Sequence, residues 1–383
     1  MFGDRLSLSP RDRHEHHRVS TPLELLYDLA SVAAVAAAAH GLAHAISANH
    51  AVDGVVGFVF SFFAIWWAWM NYTWFASAYD SGRPAFRLVT LLIIFGSLMM
   101  AAGIPALFEQ KPFRLVWLGF VVMRVGQIAL WLMAARGDPA HRTTALRYAA
   151  GIAVAQLYWS VMFMTLTPGT SLIQLAFVIG MALELAVPVF AEAAANTPWH
   201  RHHIIERYGL LNIIVLGEVL ISVVNAVRKA GDALSVANPL LHVAVSAAVI
   251  TFALWWAYFS REDHLATQEH RRAFVWGYGH VLIYAAGAAL GAGFGVLIDV
   301  LTKQASVSLR TGDIAVAVPL ATYLFGLWLV RDRFLLDHAR RHVLLVGALA
   351  VLIAGVFLPA ALELMAVITV VAVAVRTWGG MRR

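Results

Sequence analysis

Glu24 and Asp28 stand four residues apart in the stretch TPLELLYDLASVAAVAAAA, from Thr21 to Ala39. That spacing stacks both carboxylates on one face of a helix, with Tyr27 beside them as a hydrogen-bond donor. The surrounding helix is apolar and of membrane length. Acidic groups are expensive in hydrocarbon, so a span that keeps two of them points to a functional site. Glu24 also has a plainer use: it can cap the helix start after Ser20, Thr21 and Pro22 and complement the positive helix N-terminus. Asp28 sits a turn deeper, where capping does not reach.

The theme returns in the string HIIERYGLLNIIVLGE, which carries His203, Glu206, Arg207 and Glu218. Glu218 falls midway along an apolar run, where a carboxylate must be protonated, paired or beside water. A group that can lose and regain a proton is what a proton-coupled carrier requires. Arg124, in LGFVVMRVGQIALWL, is the one basic residue the pattern places inside a span, with Gln127 one turn along. It is expected to pair with an intramembrane acid, the candidates being Glu218, Glu184 and Asp28. Glu184 precedes Pro188 by four residues, so a kink could open a polar pocket there. The tryptophan-rich WWAWMNYTW stretch reads as an interfacial belt, with Asn71 facing a cavity. His40 and His44 have metal-ligand spacing but no third ligand, and no metal or other cofactor is expected.

The elements that must position these groups are long apolar helices. Hydrophobic residues make up 61% of the 383, charged residues only 13%, and the mean hydropathy is +0.73, well outside the soluble range. Apolar runs separated by charged or Pro/Gly breaks give about twelve candidate spans: 22–47, 53–77, 85–108, 113–135, 143–166, 171–195, 204–227, 238–259, 273–300, 312–330, 340–357 and 359–377. Pro359 is the only break between the last two, which leaves open whether they are two spans or one. The N-terminal stretch is polar and too long for the start of a signal peptide, so the first helix is expected to be retained. With both termini cytoplasmic, 21 of the 28 Lys and Arg fall on the inner side and six on the outer. That asymmetry follows the positive-inside rule and assigns the basic pI of about 9.8 to topology rather than to nucleic acid. The absence of cysteine excludes disulfides, thiolate metal sites and cysteine nucleophiles.

Internal similarity organises the spans further. Phe63-Ala-Ile-Trp-Trp-Ala-Trp69 returns as Phe252-Ala-Leu-Trp-Trp-Ala-Tyr258, each ahead of a polar loop and a third-span start, Arg83-Pro-Ala-Phe86 against Arg271-Arg-Ala-Phe274. The reading is an all-α polytopic membrane protein built as two parallel six-helix repeats. Its parts are a tail at 1–20, repeats at 21–196 and 197–378, and a second tail at 379–383.

Taken together, the ELLYDL string after Arg18, the WWAW span, the Asp80-Ser-Gly-Arg-Pro84 loop and HIIERYGLLNIIVLGE resemble the low temperature requirement A (LtrA) family of bacterial membrane proteins. The likeness runs from about Arg18 to the last span. One departure is Leu26-Tyr-Asp-Leu-Ala-Ser31, where the family usually has bulkier aromatic residues, which lightens the packing around Asp28. The resemblance implies a bacterial inner membrane location, and motif positions at Arg18, Glu24, Asp28, Arg83, His203, Glu206, Arg207, Gly217 and Glu218. The family is named for growth at low temperature, so the resemblance implies no substrate.

The favoured expectation is a proton- or cation-coupled secondary transporter of a small solute, with Glu24, Asp28, Glu206 and Glu218 lining a cavity between the repeats and Arg124 balancing charge. Two alternatives stay open: a cation channel with the first and seventh helices lining its pore, and an intramembrane enzyme using an acid and a histidine. Expected partners are the lipid bilayer and the solute or ion, with homo-oligomerisation left open.

Overall fold

The computed structural model describes residues 6–13, 15, 18–231, 237–260, 265 and 270–378. Arg5, Arg261 and the tail at 379–383, which entered the charge count, lie outside the described residues. Among the described residues the fold is wholly helical. Twelve helices follow in order: α1 (Pro22–Ser47), α2 (Ala51–Tyr79), α3 (Pro84–Phe108), α4 (Arg114–Gly137), α5 (Arg142–Thr165), α6 (Ser171–Glu192), α7 (Arg201–Ala230), α8 (Pro239–Phe259), α9 (His270–Leu301), α10 (Leu309–Leu327), α11 (Val343–Phe357) and α12 (Ala361–Trp378). Ten of them are long and apolar enough to cross a membrane, which makes this a multi-pass membrane protein. At 1.5 Å per residue, the 15-residue α11 reaches only about 22 Å. Leu358 turns extended and Ala360 adopts a left-handed φ of 50°, so the chain breaks at Pro359 into two helices rather than continuing as one.

Local chemistry sets the helix starts. Thr170, Asn238 and Ser308 each accept a backbone N–H of the following turn at the heads of α6, α8 and α10. Proline occupies the first helical position of α3 and of α8, where its missing N–H is no loss. α10 continues through a π-helical turn, Trp328–Asp332, into Arg333–Leu335.

Two compact units divide the chain. The first comprises Met1–Ala37 and Phe60–Arg207, and the second comprises Ala38–Val59 and Tyr208–Arg383. α1, α2 and α7 each contribute residues to both.

Inside the first unit, α3 and α4 cross at their glycines. A Cβ on Gly96 would lie 2.7 Å from the Gly119 carbonyl oxygen, and one on Gly119 would lie 2.5 Å from the Met100 nitrogen. Both obstacles are backbone, which cannot swing aside as a side chain can. Gly119→Ala is therefore expected to destabilise the chain by about 1–3 kcal/mol, read as an earlier thermal transition in detergent than for Gly217→Ala. A Cβ at Gly217 would meet nothing within 4 Å.

In the second unit α9 carries Gly287 and Gly291 four residues apart, a spacing that lets a neighbouring helix approach closely. A Cβ at Gly287 would lie 2.8 Å from Val215, and one at Gly291 would lie 2.7 Å from the Cβ of Glu218, so α9 and α7 do approach at these positions.

Two expectations are corrected here. The WWAW stretch is not an interfacial belt: Trp66, Trp67 and Trp69 are buried, because the Trp67 and Trp69 N–H groups satisfy buried carboxylates. Arg124 is likewise not the only basic residue inside a span. Arg207 and Arg331, counted with the loops, lie in α7 and in the π-turn that continues α10, and both are buried against acids; Arg376, in α12, is buried against the same acid as Arg331.

Candidate functional site

The first unit brings the acids of α1 against the bases that open α7. Glu24 meets both readings of the sequence at once. Its Oε2 accepts the Thr21 backbone N–H at 2.8 Å, while Thr21 Oγ1 accepts the Glu24 N–H at 3.3 Å. This is the reciprocal capping box that Thr-x-x-Glu encodes. The other oxygen, Oε1, faces His203 Nε2 at 2.9 Å, and both side chains are wholly buried. The two atoms are at pairing distance but not aligned for a directed hydrogen bond.

One turn deeper, Arg207 grips Asp28 with two parallel bonds, Nη1 to Oδ2 and Nη2 to Oδ1, both 2.6 Å. The fork geometry of guanidinium on carboxylate is the strong, orientation-specific form of the pair. Trp69 of α2 adds an indole N–H to Asp28 Oδ1 at 2.8 Å. Four residues separate Glu24 from Asp28 and four separate His203 from Arg207, so the two pairs form adjacent rungs between α1 and α7. Tyr27 packs its ring on Tyr72, with centroids 4.6 Å apart. Glu206 points elsewhere, to the Ser20 backbone N–H at 3.2 Å.

The N-terminal segment closes over this end of the unit. Leu8 is fully buried and donates its N–H to the Met133 carbonyl, and the Arg11 N–H reaches Ala78. Arg18 is buried and donates Nη2 to the Ala76 carbonyl near the end of α2, while the Glu15 carbonyl sits 2.9 Å from His200 Nε2. Hydrogen bonds from Arg11 hold the Glu15 carboxyl below its usual range, and burial pulls the His200 imidazole down.

A second buried cluster in the same unit answers the question of the Arg124 partner. It is Glu184, at 2.7 Å, with both side chains about 2% exposed or less. Trp67 and Trp159 donate their indole N–H groups to Glu184 at 2.8 and 3.1 Å. Asn71 is buried and donates to the Trp67 carbonyl one turn back.

Within the second unit, Glu218 is half-buried and faces no base at ion-pair distance among the described residues; the helix that packs on it does so at Gly291, where a Cβ would lie 2.7 Å from the Glu218 Cβ. The same unit holds a cluster the sequence reading missed. Asp332 is fully buried and takes Arg331 on Oδ1 at 3.1 Å and Arg376 on Oδ2 at 2.6 Å. The remaining guanidinium donors reach the Ala257 and Tyr258 carbonyls and Ser260 Oγ at the end of α8. The available signal was the Arg-Asp pair at 331–332, which an apolar-run reading assigns to a loop.

Sequence reasoning thus found Glu24, Asp28, His203 and Arg207, and these converge. It overlooked Trp69, Thr21 and Asp80 as their partners, and it did not expect Glu206 to serve the N-terminal segment.

Helices of membrane length enclosing charge pairs that water does not reach define a polytopic membrane protein with a buried acid–base site. The chain belongs to the bacterial low temperature requirement A protein (LtrA) family, whose sequence profile matches residues 19–376. It is also similar to a protein of Rhizobium meliloti (strain 1021) described as uncharacterized, at 24% identity over 293 residues, covering 71% of this chain and 68% of that one. No solved structure matches the chain.

Proposed function

We propose that this chain is a secondary transporter of the inner membrane, both termini cytoplasmic, that couples a proton or another cation to movement of a small solute. The observation that carries this reading is the pair of rungs, Glu24 with His203 and Asp28 with Arg207, sealed inside membrane-spanning helices. Buried ion pairs give little net stability over apolar residues of the same size, so two adjacent ones argue for use rather than scaffolding. A proton on Asp28 releases Arg207 to accept an anionic group of the solute, and loss of that proton re-forms the pair. Binding of the two ligands is then linked without stranding a charge at either stage.

Purified protein in liposomes should show saturable, gradient-driven uptake. Glu24→Gln is the informative variant: it keeps an oxygen to accept the Thr21 N–H while removing the charge that faces His203, so flux should be lost. Glu218→Gln, in the second unit and outside the rungs, is the control for general damage, and full flux in Glu24→Gln would sink the reading. A second reading, a cation channel lined by α1 and α7, is favoured by the same joining of those two helices; unitary currents would select it.

A further inference from the structure

Thr21 Oγ1 lies 3.0 Å from Glu24 Oε2 and 3.2 Å from Asp80 Oδ2. A hydroxyl has one proton to donate and two lone pairs to accept with. One lone pair already takes the Glu24 N–H, at 3.3 Å. With both carboxyl groups ionised, the single Thr21 proton could serve only one of them, and the other oxygen would face a lone pair at contact distance. The donors and acceptors balance when one carboxyl is protonated and donates to Thr21, which then donates to the other. Asp80 Oδ1 is held by the Gly82 N–H at 2.9 Å, in a loop where Gly82 takes a left-handed φ of 62° and both Gly82 and Arg83 are exposed.

We propose that Asp80, Thr21, Glu24 and His203 form a proton relay between the loop after α2 and the buried pair on α1 and α7. In one step the Asp80 carboxyl gives its proton to Thr21 Oγ1 as the Thr21 proton passes to Glu24 Oε2. The Glu24 carboxyl then turns about its Cγ–Cδ bond and delivers that proton to His203 Nε2, 2.9 Å from its other oxygen. Asp80, left ionised, is reprotonated from water at the exposed loop. Only O–H and N–H bonds form and break, and one proton advances.

The surrounding charges favour Asp80 as the resting holder of the proton. Arg18 from the N-terminal segment and Arg207 and His203 from α7 gather around Glu24. Burial lifts the Asp80 carboxyl above the ordinary range, and the Glu24 carboxylate beside it acts in the same direction; Arg18 opposes them, while Arg11 reaches only the Asp80 backbone carbonyl, at 3.3 Å, and the neutral Tyr72 hydroxyl lies on another side.

This inference rests on reading the two rungs between α1 and α7 as the transport site, with the relay supplying its proton, but its test needs no solute. Hydrogen exchange at the His203 ring is followed by NMR on protein labelled with ¹⁵N-histidine, the signal being assigned from its absence in His203→Gln. Thr21→Val and Asp80→Asn are each expected to slow exchange by about a hundredfold. Thr21→Ser, which keeps both cap and hydroxyl, should exchange near the wild-type rate. Asp80→Asn leaves the capping box intact, so it reads the relay even if Thr21→Val fails to fold. Wild-type exchange in Asp80→Asn, or slow exchange in Thr21→Ser, would overturn the relay. Unchanged flux alongside slowed exchange would leave the relay standing and count against the transporter reading.

Discussion

Asp28→Asn is expected to lower the stability of the folded chain by about 3–5 kcal/mol. The substitution keeps the volume and can still accept the Trp69 N–H, so it isolates the charge. What it removes is the counter-ion of Arg207, a side chain with no exposure and with both terminal nitrogens committed to Asp28 at 2.6 Å. A guanidinium stranded there has no water to turn to. The measurement is the thermal transition in detergent or nanodiscs. A control distinguishes charge from shape: Asp28→Leu combined with Arg207→Met should recover most of the loss, since removing both partners leaves neither unpaired. A transition within a degree or so of wild type for Asp28→Asn would mean that water or another group reaches Arg207, and the buried-pair description would fall.

How far the sequence foretold these pairs depends on what each residue advertises. Glu24 and Asp28 were legible because a carboxylate in an apolar run violates the pattern around it, and spacing alone fixed their common face. Arg124 was legible for the same reason, although three acids competed for it and only packing chose Glu184. Arg207 was harder: it stands seven residues into α7, close enough to the head of the helix to be counted with its flanking charge. Trp67 and Trp69 concealed their role differently. Tryptophan is common at membrane interfaces, so a run of it suggests a belt, and only the positions of Glu184 and Asp28 reveal the indoles as donors. Thr21 was placed correctly as part of the helix start. Its second contact, to Asp80 fifty-nine residues away, is a matter of tertiary structure that no local pattern carries.

Asp332→Asn should be the most damaging single change in the second unit, at about 3–5 kcal/mol or more, because one carboxylate there neutralises two arginines. Arg331 and Arg376 are both buried, so removing the shared charge brings two guanidinium groups together with none between them. Their other bonds do not compensate. The Ala257 and Tyr258 carbonyls at the end of α8 carry only the partial negative charge of a helix C-terminus. These same bonds tie the ends of α8, α10 and α12, so the loss should appear as separation of those ends rather than as loss of helix. Cysteines introduced at the exposed positions Trp256 and Val375 of this cysteine-free chain can carry spin labels that read the distance between α8 and α12. Asp332→Asn should broaden and lengthen that distance while the helical circular dichroism signal holds. Arg376→Met in the Asp332→Asn background should narrow it again, since a single arginine is then left to the α8 carbonyls. If the distance is unchanged in Asp332→Asn, the cluster does not hold the helix ends, and the π-turn that delivers Asp332 to it needs another explanation.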